Sequence, residues 1–321
     1  MNEPLVSIIM PTFNRKDVVT RAINSVLKQT YSNIEFIIID DFSEDGTEDL
    51  IRNFITNNKN IIYLKNKSNK GPSISRNIGV EVAKGDFITF IDDDIEYLPQ
   101  KVEKTINLFM LSNEDDFVIY TNFYKIKNNE KKLFLPLNVR KEGCIYKNLL
   151  KGNFVDTSGL TIPRTCLLKP LFAENLRMLE DWELALKLSQ KYKFKYINEP
   201  LYYYYDSPNS INKQTGIYSI QALSYITDSY GKDMTNKTLS QLYYILGKQY
   251  AWISNKALSK EYIILAIKKH KLKIEYWIFL LMVIVFSPEV LNRIRSIKKF
   301  FSSFWYSYIH IRFRKIFIKV K

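Results

Sequence analysis

Short apolar runs alternate with segments of helical periodicity through the N-terminal third of the chain. The apolar runs are rich in β-branched residues and span residues 5–10, 36–39, 61–64 and 87–91. Such runs predict buried strands. Apolar positions at helical spacing follow the first three runs, over residues 17–30, 46–57 and 73–83. This alternation predicts an α/β domain, with a mostly parallel sheet that helices cover on both faces.

Acidic and amide residues stand where three of these strands end. They are Asn14 after the first strand, Asp40 and Asp41 after the second, and Asp92, Asp93 and Asp94 after the fourth. Ligands of parallel sheets bind beyond the carboxyl ends of the strands. Crowded carboxylates are costly unless a cation compensates them, so the triplet indicates a site for a hard metal ion. A solvated turn is the alternative for the triplet, and capping of the following loop is the alternative for Asp40 and Asp41.

Two common nucleotide-binding motifs do not occur in the sequence. Neither G-x-G-x-x-G nor G-x-x-x-x-G-K-[ST] is present, so a glycine-rich phosphate loop is not expected. If a nucleotide binds, carboxylates and a metal must hold it. In that case Asp40 accepts hydrogen bonds from a base or ribose, while Asp92 and Asp94 place a divalent cation on the diphosphate.

Histidine and cysteine are scarce, which excludes several other chemistries. His270 and His310 are the only histidines and lie in the C-terminal third, so the α/β region cannot hold a Ser-His-Asp triad or a histidine-rich zinc site. Cys144 and Cys166 are too few for a zinc cage. No signal peptide is recognised after Met1, so we expect reduced thiols in a cytoplasmic protein.

Five motifs occur in a fixed order along the chain. They are PTFNR from Pro11 to Arg15, IDDFSEDGT over residues 39–47, NKGPSISRNIG over residues 69–79, DDD from Asp92 to Asp94, and EDW from Glu180 to Trp182. The series resembles that of the family-2 inverting glycosyltransferases with a GT-A fold. The resemblance covers residues 5–211, about two thirds of the chain.

The resemblance implies transfer of a sugar from a nucleotide sugar, most often a UDP-sugar, to a hydroxyl group with inversion. The implied nucleotide-sugar site contains Pro11, Thr12, Asn14, Asp40, Arg76, Asp92 and Asp93. Asp92 and Asp94 match the D-x-D motif that binds Mn²⁺ or Mg²⁺, with Asp94 as the direct metal ligand. Asp181 matches the catalytic base, and Glu180 and Trp182 lie on the acceptor side.

The chemistry of the transfer agrees with these residue types. A divalent cation neutralises charge that develops on the leaving diphosphate, and a carboxylate on the other side of the sugar can take the acceptor proton. Taken alone, Glu180 and Asp181 are also explained as acidic residues that favour a helix N-terminus. One feature departs from the family pattern, because Tyr205 and Ser207 stand where the family often carries an arginine and a histidine.

Positive charge is concentrated at the end of the chain. Lys and Arg number 47 in 321 residues, and the formal net charge is +14. Residues 256–321 hold 15 Lys and Arg against three Glu, a net charge of 15 − 3 = +12. We therefore expect a catalytic domain over residues 1–211, with a nucleotide-sugar half at about 1–95 and an acceptor half at about 96–211. A helical, basic region over residues 212–321 follows it.

Two patterns in this C-terminal region indicate membrane association. Residues 276–286 form an apolar run of eleven residues, which is too short to span a bilayer and predicts either a buried helix or an interfacial one. Beyond Pro288, apolar residues recur at helical spacing between arginines and lysines, as far as Ile311, with Trp305 among them. Basic amphipathic helices of this kind suit an anionic membrane surface. A helical bundle with a solvated basic face is the alternative for this tail. In the preceding segment, the spacing of residues 217–266 predicts helices that pack on the catalytic domain or form a homodimer surface.

The leading hypothesis is a peripheral membrane glycosyltransferase on the cytoplasmic face of the inner membrane. Its expected partners are a nucleotide sugar and a glycan or polyprenyl-linked acceptor in surface polysaccharide synthesis, and no nucleic acid. Two alternatives stay open at this point. They are a nucleic-acid-binding protein that uses the basic aromatic tail, and an inactive scaffold of the same fold.

Overall fold

The structure is a computed structural model, and it divides the chain into two compact units. It describes residues 3–112, 114, 116–127, 130–136, 141–205, 216–301 and 315–319. The first unit contains residues up to Tyr146, Asn153–Ser210 and the C-terminal segment Lys315–Lys321, and the second contains Lys147–Gly152 and Ile211–Arg314. The boundary that we predicted at residue 211 lies outside the described residues.

The first unit is built on one mixed sheet. Its strands are β1 (Val6–Thr12), β2 (Ile34–Asp40), β3 (Ile61–Lys65), β4 (Phe87–Phe90), β5 (Ile95–Tyr97), β6 (Phe117–Lys127), β7 (Glu130–Pro136), β8 (Thr161–Pro163), β9 (Lys193–Tyr205) and β10 (Lys315–Lys319). The main strand order is β10-β7-β6-β8-β4-β1-β2-β3, and β9 pairs with both β5 and β6. The sheet therefore runs without interruption through both predicted halves of the domain.

Strands β3, β2, β1 and β4 form the parallel part of the sheet that the apolar runs predicted. Every residue of β1 and β2 is buried, as expected for strands that are covered on both faces. The helices of this unit are α1 (Val19–Leu27), α2 (Thr47–Asn57), α3 (Pro72–Val82), α4 (Lys101–Met110), α5 (Tyr146–Leu149, which continues into the second unit) and α6 (Glu180–Ser189).

Helix α3 is held closely against β1. A Cβ atom added to Gly79 would lie 2.4 Å from Cγ2 of Ile9, so only glycine permits this approach. On the other side of the helix, Asn77 donates to the carbonyl of Phe172 and accepts from the backbone amide of Phe172, both at 2.9 Å. Helix α3 is thus fixed between β1 and the segment that leads to α6.

The second unit is helical, as the periodicity predicted. Its helices are α7 (Ile217–Tyr230), α8 (Asn236–Trp252), α9 (Lys256–Lys269), α10 (Ile274–Val285) and α11 (Pro288–Phe301). One hydrophobic core joins α8, α9, α10 and α11 and includes Tyr244, Ile263, Tyr276, Val283 and Leu291. In the described part of the chain, no helix is both long enough and apolar enough to cross a membrane.

The end of the chain differs from the helical expectation. Lys315–Lys319 forms strand β10, which pairs antiparallel with β7 at the sheet edge. The local sequence Lys-Ile-Phe-Ile-Lys is rich in β-branched and aromatic residues, and an unpaired sheet edge readily accepts such a strand. The predicted amphipathic positions over 302–314, Trp305 among them, lie outside the described residues.

Candidate functional site

The carboxyl edge of the parallel strands brings the predicted nucleotide-site residues together. Pro11 and Thr12 are the last residues of β1, and Thr12 is the register partner of Asp40 at the end of β2. Ile9 of β1 is the partner of Phe90, so Asp92 lies just beyond the same edge. This edge also lies at a topological switch point, because the chain leaves β1 for β2 on one side and later returns to β4 on the other. Open α/β sheets bind ligands at such points.

Asn14, Asp40 and Asp41 hold the loops at this edge. Asn14 adopts a left-handed backbone with φ of 52°, and its side chain accepts from the amide of Glu44 at 2.9 Å. Asp40 is completely buried and accepts from the amide of Ser43 and the hydroxyl of Tyr63 at 2.7 and 2.8 Å. A base or ribose at Asp40 would therefore use the remaining lone pairs of its carboxylate.

Asp41 has a structural role, but not in the loop that follows it; the amide of Ser43 in that loop bonds to Asp40 instead. Its carboxylate accepts from the amides of Lys70 and Gly71 at 2.8 and 2.7 Å, and from the side chain of Asn66 at 2.8 Å. These bonds join the end of β2 to the start of α3. Asp41 thereby helps to place the N-terminal turn of the helix that carries Arg76.

The three aspartates after β4 occupy different environments. Asp92 accepts from Nη2 of Arg76 at 2.6 Å. Asp93 accepts from the hydroxyl of Thr12 at 2.9 Å, and Nε of Arg15 lies 3.4 Å from its other oxygen. Asp94 is 7% exposed, and no described residue donates a hydrogen bond to its carboxylate or forms an ion pair with it.

Burial and mutual repulsion perturb two of these carboxyl groups. Burial raises the pKa of Asp93, and the Arg15 charge and the Thr12 hydrogen bond offset only part of this effect. Burial raises the pKa of Asp94 further, because the charges of Asp93 and Asp92 add to it. Asp156 adds a fourth negative charge in this region. Both shifts favour the protonated form, and a bound cation would offset the repulsion and favour the ionised carboxylates.

The donor set fits a divalent cation that is bound together with a nucleotide. Among the described residues, no three His, Cys, Asp or Glu side chains form a complete metal-binding group. Mg²⁺ in nucleotide sites, however, is usually held by one or two carboxylates, with substrate phosphates and water as the other ligands. The carboxylate of Asp94, which lacks a partner among the described residues, and the more exposed carboxylate of Asp92 provide this kind of incomplete oxygen site.

Arg76 joins the aspartate triplet to the start of α6. Its Nη2 contacts Asp92 at 2.6 Å and its Nη1 contacts Glu180 at 2.9 Å. The guanidinium group is buried, and burial lowers the pKa of Arg76, but the charges of Asp92 and Glu180 outweigh burial and raise it above its ordinary value. Arg76 is therefore a charged bridge between the two acidic motifs.

We expect Arg76→Met to destabilise the protein by about 3 kcal/mol, because it leaves two carboxylates without their buried partner. Urea unfolding followed by circular dichroism measures this change. Arg52→Met is the matched control, since Arg52 pairs with Glu48 on the surface of α2 with 61% of its side chain exposed, and its loss should destabilise the protein much less. Equal effects of the two substitutions would contradict a structural role for the bridge.

Asp181 lies in the first turn of α6. Its Oδ2 accepts from the side chain of Asn153 at 2.7 Å, and its Oδ1 accepts from the amide of Trp182 at 2.7 Å. Helix α6 starts after Leu179, which has a positive φ, and carries Glu180, Asp181 and Glu183 in its first turn. These contacts hold the Asp181 carboxylate in one orientation at a partly exposed position.

The other two acidic-motif residues differ from the acceptor-side prediction in this structure. Glu180 is paired with Arg76, which links it to the aspartate triplet. Trp182 is 1% exposed and is the largest of the fully buried side chains, so it packs in the core and presents no surface to an acceptor.

Four site residues were not predicted from the sequence. Asp156 accepts from the hydroxyl of Tyr202 at 2.9 Å and adds negative charge near Asp94, and Asn153 orients Asp181. Phe13 and Phe42 are partly exposed aromatic side chains in the loops that follow β1 and β2. An aromatic residue directly after each strand end was the available signal for these two, whereas nothing local marks Asn153 or Asp156.

The departure from the family pattern at Tyr205 has a structural reason. Its amide donates to the carbonyl of Asp94 at 3.3 Å, and its hydroxyl donates to Glu96 at 2.6 Å. The guanidinium of Arg21 lies 3.6 Å from the centre of the ring. Tyr205 therefore supports the backbone of the aspartate triplet, while Ser207 lies outside the described residues.

Comparison with known proteins agrees with this site. The family described as glycosyl transferase family 2 matches residues 7–165. The Escherichia coli protein WfgD, named a UDP-Glc:alpha-D-GlcNAc-diphosphoundecaprenol beta-1,3-glucosyltransferase, is 32% identical over 274 residues, which cover 84% of this chain and 96% of WfgD. This relationship extends well beyond the family match into the helical unit.

Two solved structures share the fold. Staphylococcus aureus TarS 1–349, in complex with UDP-GlcNAc, has a TM-score of 0.56 and 17% identity, over 82% of this chain and 81% of its own. The mannosyltransferase PcManGT of Pyrobaculum calidifontis, in complex with GDP-Man and Mn²⁺, has a TM-score of 0.56 and 12% identity, over 96% of this chain and 83% of its own. The predicted fold class, GT-A followed by helices, is confirmed. The chain is a glycosyltransferase and belongs to glycosyl transferase family 2.

Proposed function

We propose that this enzyme transfers a sugar from a UDP-sugar to a hydroxyl group of a glycan or polyprenyl-linked acceptor in surface polysaccharide synthesis, with inversion at the anomeric carbon. The observation that carries the proposal is the ion-pair bridge from Asp92 through Arg76 to Glu180. It links the aspartate triplet to the turn that carries the proposed base, Asp181, and so supports a common site for these groups. Direct displacement requires a site that binds the leaving group and a base that can reach the attacking hydroxyl group.

The nucleotide would occupy the edge formed by β1 and β2. Thr12, Asn14 and Asp40 supply polar groups there, with Pro11 in the strand beneath them, and Phe13 and Phe42 supply rings on which a base can stack. Asp93 and Arg76 lie where the ribose and diphosphate would follow. A uridine nucleotide is favoured because the name of WfgD specifies UDP-Glc and TarS was solved with UDP-GlcNAc.

Asp94 and Asp92 would hold the cation, which we propose to be Mn²⁺ or Mg²⁺. When bound, such an ion neutralises charge on the leaving diphosphate. Its attraction would also compensate the repulsion among the aspartates. The complex of PcManGT contains Mn²⁺, in agreement with an oxygen-liganded ion in this fold.

Asp181 would act as the general base. Asn153 and the amide of Trp182 orient its carboxylate, which can accept the proton of the acceptor hydroxyl as the new glycosidic bond forms. A single base and no covalent intermediate give inversion. Glu180 positions this turn through Arg76.

The acceptor and the location are proposed from the relatives and from the C-terminal unit. The name of WfgD specifies a diphosphoundecaprenol acceptor, and lipid-linked acceptors of this kind lie in a membrane. We place the enzyme at the cytoplasmic face of the inner membrane, held there peripherally by the basic helical unit. A homodimer formed through the same helices is the alternative arrangement.

Calorimetric titration with UDP, GDP, CDP and dTDP, each with and without Mn²⁺ or Mg²⁺, tests the donor proposal. We expect UDP to bind best, and to bind at least about tenfold more tightly with the metal than with EDTA. If another nucleotide bound more tightly than UDP, the donor would be a sugar linked to that nucleotide. Equal binding of UDP with and without metal would contradict the role given to Asp94.

A further inference from the structure

Helix α10 is apolar on both faces, but only one face is packed. On the inner face, Tyr276 and Val283 are buried in the core that α10 shares with α8 and α9, and Phe279 and Leu280 pack against that core. A helix that is hydrophobic all round is normally buried on all sides. The apolar residues on the other face of α10 therefore point to a partner outside this core.

The outer face forms a continuous stripe of large side chains, each at least half exposed. This α10 stripe consists of Ile274, Trp277, Ile278, Leu281, Ile284 and Val285. The spacing of three, one, three, three and one residues places them along one side of the helix. Leu272, directly before the helix, is 89% exposed and extends the apolar surface. Soluble proteins rarely leave so large a contiguous apolar patch in water, and such patches mark interaction sites.

Positive charge adjoins the N-terminal end of the stripe. Lys268, Lys269 and Lys271 are exposed just before α10, and the neighbouring Lys273 lies 4.0 Å from Glu275. The indole Nε1 of Trp277 donates to the carbonyl of Lys271 at 2.9 Å. This bond places the polar edge of the tryptophan beside the lysines, an arrangement suited to the boundary between headgroups and acyl chains.

We propose that the α10 stripe is the membrane-inserting surface of this enzyme, and that its partner is a bilayer with anionic headgroups. This inference deepens the proposed function, on which it rests, by naming the surface that meets the membrane. Helix α10 has 12 residues, about 18 Å in length, against a hydrocarbon core of roughly 30 Å. The helix would therefore lie in the plane of the interface, with its stripe among the acyl chains and its lysines among the phosphates.

Charge favours a bilayer over a second copy of the chain as the occupant. In a two-fold symmetric contact, a surface meets itself. With Lys268, Lys269 and Lys271 exposed at one end of the stripe and Glu289 at the other, such a contact would bring an excess of positive charge into the interface. Anionic lipid supplies the complementary charge.

The test compares two double variants of the full chain in sedimentation with vesicles of phosphatidylcholine and phosphatidylglycerol. Ile278→Glu/Leu281→Glu alters the α10 stripe, and Met110→Glu/Leu111→Glu alters equally exposed apolar residues at the end of α4. We expect the stripe variant to lose at least about tenfold in vesicle affinity, because two side chains no longer enter the apolar phase. The α4 variant should bind as the wild type does. Unchanged binding by the stripe variant would overturn the proposal.

Two further measurements distinguish insertion of the α10 stripe from a lipid contact elsewhere on the chain and from self-association. Acyl-brominated lipids should quench the tryptophan fluorescence of the wild type, and Trp277→Phe should remove part of this quenching; undiminished quenching would place the contact elsewhere. If the wild type ignores vesicles but sediments as a dimer that the stripe variant dissociates, the occupant is a second copy and the proposal is wrong. UDP titration of the same proteins tests the donor site independently, since loss of UDP binding in every protein would refute the proposed function without affecting vesicle binding.

Discussion

Replacing Asp181 with asparagine is expected to lower the rate of sugar transfer by about 10²–10⁴-fold, the usual contribution of a general base. UDP binding in the presence of Mn²⁺ should not change, because the bridge to the aspartate triplet passes through the neighbouring Glu180. Asparagine has nearly the same shape as aspartate and keeps an oxygen for the amide of Trp182. Initial rates of transfer, together with calorimetric titration of UDP, measure the two quantities separately.

Glu174→Gln is a suitable control for Asp181→Asn. Glu174 is an exposed carboxylate in the segment that leads to α6, so the substitution removes one negative charge from the same region and should leave transfer unchanged. Near-normal transfer by the Asp181→Asn enzyme would show that another group accepts the proton. A parallel loss of UDP binding would instead indicate that Asp181 supports the donor site.

Replacing Asp94 with asparagine is expected to abolish metal-dependent UDP binding. The Asp94 carboxylate is buried, has no partner among the described residues, and lies near other carboxylates, so it is the strongest candidate for the direct metal ligand. We expect the affinity for UDP in Mn²⁺ to fall by at least about 10–100-fold, the loss typical for even an outer-sphere metal contact. Asp49→Asn, at an exposed position in α2, is the control and should bind UDP as the wild type does.

The same variant should show an altered dependence of stability on pH in EDTA. Burial, together with the charges of Asp93 and Asp92, raises the pKa of Asp94 from 3.8 to about 8. Between these values the folded state binds a proton that the unfolded state has released, so the stability of the wild type should fall as pH rises from about 4 to about 8. Asp94→Asn lacks this titration, and urea unfolding at about pH 5 and about pH 8 should show a smaller decrease. If the stability of both proteins fell by the same amount, groups other than Asp94 would cause the pH dependence.

Local sequence was sufficient for the parallel sheet and for the edge at which the polar residues of the strand ends meet. Strands β1, β2 and β4 could be recognised because a strand covered on both faces is apolar along most of its length. Polar residues directly after those strands must then meet at one edge, since parallel strands share the direction of their carboxyl ends. These two constraints act over a few residues and need no knowledge of the rest of the chain.

Local sequence was not sufficient for the roles of individual polar side chains. Asp40 and Asp41 are adjacent and chemically identical, yet Asp41 is fully engaged with the start of α3 through Lys70 and Gly71. Trp182 follows two site carboxylates and is nevertheless buried. In each case the outcome depends on which segment packs beside the residue, and that segment lies far away in the chain.

The sequence by itself determined the class of sheet, the edge at which the site forms, the family of the enzyme and the helical nature of the second unit. Only the tertiary structure decided that Arg76 joins Asp92 to Glu180, that Asn153 orients Asp181, and that Asp94 has no partner among the described residues. It also decided which face of α10 is packed. The physical reason is distance along the chain. Periodicity and strand-end chemistry are local, whereas ion pairs, burial and exposure depend on residues that are far apart in the sequence, 104 positions in the case of Arg76 and Glu180.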